Sequence, residues 1–99
     1  MQRLPGIDLT VAASPFKHNA SRVAWQSVGG QVLLVDLELS RVLGLNPVAS
    51  AMWPLLGNHD IEALARVIAA RFDVAVGEAA QDIRRFAEEM TKRGYLVET

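Results

Sequence analysis

Apolar positions follow two different periods along this chain. From Arg22 to Leu45 they recur every second residue, and from Pro47 onward every third or fourth. In the first part, Val23, Trp25 and Ser27 alternate with Arg22, Ala24 and Gln26, which predicts a half-buried strand over 22–28. Gly29-Gly30 then supplies the positive backbone dihedrals of a tight hairpin turn. Gln31 to Asp36 is apolar on both faces, as suits the middle strand of a small sheet. A reversal around Leu37–Leu39 leads to a third strand over Ser40–Leu45. These three strands make an antiparallel meander.

In the second part, Asn46 offers a side-chain acceptor to free backbone amides, and Pro47 fits the first helical position. Val48, Met52 and Leu55 form one apolar row and Ala49, Trp53 and Leu56 its neighbour; the helix ends near Gly57, with Pro54 marking a kink or a tighter last turn. Asp60 caps a second helix carrying Ile61, Leu64, Ala65, Ile68 and Phe72. After the turn 73–77, a third helix places Ile83, Phe86, Ala87 and Met90 on one face and stops at Gly94. Tyr95, Leu96 and Val97 read as a terminal segment folded back onto the core. The predicted fold class is α+β, like a winged helix-turn-helix, with a three-stranded antiparallel sheet followed by three helices. Residues 1–21, broken by Pro5-Gly6 and Pro15, read as a weakly structured N-terminal arm in which Ile7, Leu9 and Val11 alternate as a short edge strand would. Residues 22–99 form the domain.

Composition narrows the function more by exclusion than by indication. Ninety-nine residues support one modest core. Lys and Arg total 10 against 11 acidic residues, and a net charge of −1 gives no electrostatic pull toward nucleic acid or anionic lipid. There is no cysteine, which removes disulfides, thiol nucleophiles and thiolate metal sites. No secretory pattern or spanning apolar run is present, so a cytoplasmic protein is expected.

Catalytic chemistry finds little to stand on. His18 and His59 lie in different elements without partners at metal-ligand spacing and are expected to be solvated. No serine sits in a nucleophile elbow, no glycine-rich loop follows a strand, and Asp8, Asp36 and Glu38 fall in turns and extended segments. The expectation is a non-enzyme without cofactor or metal. Trp25 and Trp53 fall on apolar rows and are expected in the core. The rival reading, a winged-helix DNA-binding regulator, needs a basic recognition helix. The third helix instead carries Arg84, Arg85, Lys92 and Arg93 against Glu78, Asp82, Glu88 and Glu89.

The run from an apolar strand through an acidic turn to Leu45-Asn46, then a small residue and Met52-Trp53-Pro54-Leu55-Leu56, resembles the PqqD-like family. Ile61 to Phe72 is similar to the family's second helix, and Ile83 to Leu96, closing on Arg93-Gly94-Tyr95-Leu96, to its last. The resemblance spans about Val23 to Val97. Gly57-Asn58-His59-Asp60 departs from the Asp-Gly often found after the first helix, and Asp60 replaces the usual Thr or Ser cap; Asp caps as well.

This resemblance implies a RiPP recognition element, a module that binds the leader segment of a ribosomally made precursor peptide and delivers it to a modifying enzyme such as a radical SAM protein or a leader peptidase. The leader would add as an antiparallel strand to Ser40, Arg41, Val42, Leu43, Gly44 and Leu45, in a groove shared with the third helix. Gly44 either admits a close peptide backbone or marks a bulge. From the helix, Phe86 would floor the groove, Asp82, Glu89 and Arg93 would pair with leader charges, and Arg85 would reach the rim. An adaptor subunit docking on a partner enzyme is the remaining alternative. Monomer and homodimer are both open.

Overall fold

The computed structural model describes residues 14–99. Their elements are β1 (Phe16–His18), β2 (Val23–Val28), β3 (Gln31–Asp36), β4 (Arg41–Gly44), α1 (Pro47–Leu56), α2 (Ile61–Phe72), α3 (Val76–Lys92) and β5 (Leu96–Glu98). Strands β2, β3 and β4 form the expected antiparallel meander, with β3 central. Gly29 and Gly30 both take positive φ at the β2–β3 turn. The β3–β4 register runs without a bulge from Leu33 opposite Gly44 to Asp36 opposite Arg41.

Alternation in β3 decides which face of the sheet is covered. Val32, Leu34 and Asp36 are buried under the helices, whereas Leu33 and Val35 on the other face are only half-buried. The helices add Met52, Trp53 and Leu56, then Leu64 and Ile68, then Ile83 and Ala87 to one core. Asn46 and Asp60 cap α1 and α2 through side-chain bonds to Ala49 and Ala63 amides, and α1 runs helically through Pro54 to Leu56. The core therefore joins sheet and helices without an intervening layer.

Three expectations need correcting. The end of the N-terminal arm is built into the fold: Phe16–His18 pairs antiparallel with Leu96–Glu98, giving a second, two-stranded sheet. Residues 1–13, where the Ile7–Val11 alternation falls, lie outside the described residues. His18 is not a solvated loop residue. Its ring stacks on Trp53 with centroids 4.2 Å apart, and its Nε2 donates to the Trp53 carbonyl at 2.8 Å. Trp25 lies outside the core, 39% exposed, because β2 is an edge strand that the helices do not overhang; the His18 ring meets it edge-on.

Candidate functional site

The outer edge of β4 is open, since β3 pairs it on one side and no described strand pairs it on the other. Backbone groups alternate in an antiparallel ladder. Leu45 N–H points inward to the Val32 carbonyl at 2.9 Å, so Leu43 and Arg41 also bond inward. The amides and carbonyls of Val42 and Gly44 point outward. Side chains alternate too: Leu43 and Leu45 pack against the core, while Val42 stands 66% exposed on the uncovered face. Ser40 is not part of the strand. It occupies the turn with φ 55°, and Leu45 follows the last strand residue.

Sequence reasoning passed over the residue that ends the ladder. Ser50, buried in α1, accepts from Val32 N–H at 3.0 Å and donates to the Leu45 carbonyl at 3.0 Å. A hydroxyl thus replaces a direct strand–strand bond and ties α1 to both strands. Gly44 is bordered by the Gln31 side chain, which donates to Leu45 O at 3.3 Å; a Cβ at position 44 would come within 2.8 Å of Gln31 Nε2.

Beyond the exit of β4, Asn46 shares a cavity of about 270 Å³ with Val48, Ala49 and Met52 of α1 and with Asp82 and Phe86 of α3. Asp82 and Phe86 thereby share a cavity with the residue that follows Leu45. Arg85 goes elsewhere, because it lines a wider concavity of about 780 Å³ on the far flank of α3, with Phe16, Lys92 and Glu98. That larger space is bordered chiefly by charges and lies away from the β4 edge.

The helix charges are engaged locally. Asp82 bonds Arg85, and Glu89 accepts from Arg93 at 2.9 Å; both pairs are exposed and weak.

At the turn before β4, Asp36 is fully buried and holds the entry to the strand. It accepts from Arg22 Nε at 3.1 Å and Nη2 at 3.2 Å, from the Tyr95 hydroxyl at 2.7 Å, and from the Glu38 and Leu39 amides at 2.9 Å each. The Arg22 guanidinium, followed by the turn amides, holds the Asp36 carboxyl well below the usual carboxylate range. Burial, then the hydrogen bond to Asp36, raises the pKa of the Tyr95 hydroxyl. Among the described residues no three potential metal ligands cluster, and no helix is long and apolar enough to cross a membrane.

The family profile described as Coenzyme PQQ synthesis protein D (PqqD) matches residues 31–96. No curated protein matches the chain significantly. Among solved structures, TbiB1 in complex with the TbiA(beta) leader peptide is similar at a TM-score of 0.71 and 26% identity, over 81% of this chain and 93% of that one.

Proposed function

The chain belongs to the PqqD family, and from that premise we propose that it is a RiPP recognition element: a cytoplasmic, non-catalytic domain that binds a precursor's leader peptide and delivers it to a modifying enzyme. The observation that carries the reading is the open β4 edge, which leads at Asn46 to a cavity lined by Val48, Met52 and Phe86. An exposed edge is a template for a further strand. The β2 strand has a free edge as well, but the cavity at its Gly29–Gly30 end is lined by no residue of α3. Similarity to a protein solved with a leader peptide supports the peptide-binding reading.

Energetics divide the labour between backbone and side chains. The outward groups of Val42 and Gly44 offer about four hydrogen bonds, each contributing about 0.5–1.5 kcal/mol net. Micromolar affinity requires about −8 kcal/mol after the peptide has been ordered. Apolar leader residues entering the cavity at Val48, Met52 and Phe86 therefore supply most of the affinity. Asp82 lines the cavity, whereas Arg85 contributes little from its other flank.

The test is an amide-NMR titration with synthetic leader peptides from small open reading frames beside the gene, on the parent and on Val42→Pro. Shifts should concentrate at Arg41–Leu45 and along Asp82–Phe86. The proline removes an outward donor while leaving the inward ladder intact, so the variant should fold yet bind at least about tenfold more weakly. Unchanged binding by a folded Val42→Pro chain would move the site away from β4.

A further inference from the structure

Arg41 faces Asp36 across the β3–β4 ladder, the ordinary place for a cross-strand ion pair. That pairing is already pre-empted. Five donors fill the Asp36 carboxylate, and none of them comes from Arg41. Arg22 also reaches Glu38 at 3.4 Å, and Arg93 takes Glu89. Among the described residues, Arg41 is the arginine at this end of the groove that has no carboxylate within salt-bridge distance. It is exposed, and it stands on the helix side of the edge strand together with Leu43 and Leu45.

The register fixes what an added strand would place opposite it. Val42 and Gly44 make the hydrogen-bonded pairs with such a strand. Arg41, Leu43 and Leu45 therefore face it in the non-hydrogen-bonded pairs, where side chains lie closest. An antiparallel partner runs from the Leu45 end to the Arg41 end. Its residue opposite Leu45 is the one nearest Asn46 and hence the Val48–Met52–Phe86 cavity that Asn46 lines, and the residue opposite Arg41 comes four positions later.

Resting on the peptide-binding reading above, we propose that Arg41 is a specificity-determining residue that selects a leader carrying Asp or Glu four positions C-terminal to its cavity-filling apolar residue. The sequence read is apolar, any, apolar, any, acidic, with the middle apolar residue against Leu43. A carboxylate there takes the partner that Asp36 denies to Arg41. A basic residue at the same place meets the Arg41 charge and is rejected.

A display library of random peptides selected on the full chain supplies the probe. Enriched sequences should show this spacing. For one synthetic member, changing the acidic residue to its amide should weaken binding about two- to fivefold, and changing it to Lys still more, with the differences shrinking as salt is raised. Arg41→Gln should bind the acidic and amide peptides equally, and Arg41→Glu should prefer the Lys peptide. Enriched peptides that depend on the β4 edge, being lost with Val42→Pro, but show no acidic preference would overturn the role of Arg41 and leave the recognition reading standing. An acidic preference that persists in Arg41→Glu would do the same. A selection that enriches nothing removes both.

Discussion

Asp36 carries a charge with none of its side chain exposed, an arrangement that is costly unless every lone pair is used. Arg22, Tyr95 and two turn amides use them, so the ionised form is the native one. A carboxyl whose folded pKa is depressed contributes stability that is present above its ordinary value, 3.8, and is lost as the pH falls below it. His18 acts earlier. Burial between the tryptophans lowers its pKa from 6.5, so below 6.5 the unfolded chain binds the proton more readily than the native one, and stability declines. The expected melting profile is flat above about pH 7, starts to slope down as the pH falls below about 6.5, and falls steeply below about pH 4. Scanning calorimetry across this range checks it. His18→Phe, which keeps an aromatic ring against Trp53, should abolish the middle slope and spare the acid limb; a slope that survives assigns the proton elsewhere. Neither contact was legible along the sequence, because Asp36 and Tyr95 stand 59 residues apart and His18 and Trp53 35 apart.

At the scale of elements, β4 is the shortest strand of its sheet, and what keeps it in register is largely outside it. Asp36 organises the turn that enters the strand, and the Ser50 hydroxyl closes its exit. Ser50→Ala would leave the buried Val32 amide without a partner, since Leu45 O still receives Gln31 but Val32 N–H has no second acceptor among the described bonds. The expected loss is about 1–3 kcal/mol, a drop in melting temperature of about 4–8 °C for each kcal/mol, with helix content retained. A variant that melts with the parent would show that Val32 and Leu45 bond directly once the hydroxyl is gone. The strands β2, β3 and β4 and all three helices were readable, because period-2 and period-3.6 patterns and the Asn46 and Asp60 caps are local signals. Phe16–His18 was not: a three-residue strand beside Pro15 has no period to detect, and its partner is the other end of the described chain. Trp25 misled for a related reason, since alternation shows which face of a strand a residue takes but not whether a helix lies over it.

On the scale of the whole molecule, charge and shape point to different kinds of partner, and they can be weighed against each other. The fold is close enough to a winged helix for DNA to be considered, but the chain is net −1, and α3 spends Arg85 and Arg93 on its own carboxylates. A duplex reader making six to ten phosphate contacts loses about 10³–10⁵ in affinity between about 50 and 200 mM salt. A leader held by β4 hydrogen bonds and the Phe86 cavity has one salt-sensitive contact to lose, at Arg41. Cross-strand ion pairs contribute only about 0.2–1 kcal/mol, so affinity for such a peptide should fall no more than about fivefold over the same range. Fluorescence anisotropy with a labelled peptide and with random duplex DNA measures both slopes on one sample. A shallow peptide slope with no duplex binding at low salt is the outcome that the geometry of the β4 edge requires; a steep slope would mean that the basic residues outside the groove, Arg84 and Lys92 on the far flank of α3, carry the interaction.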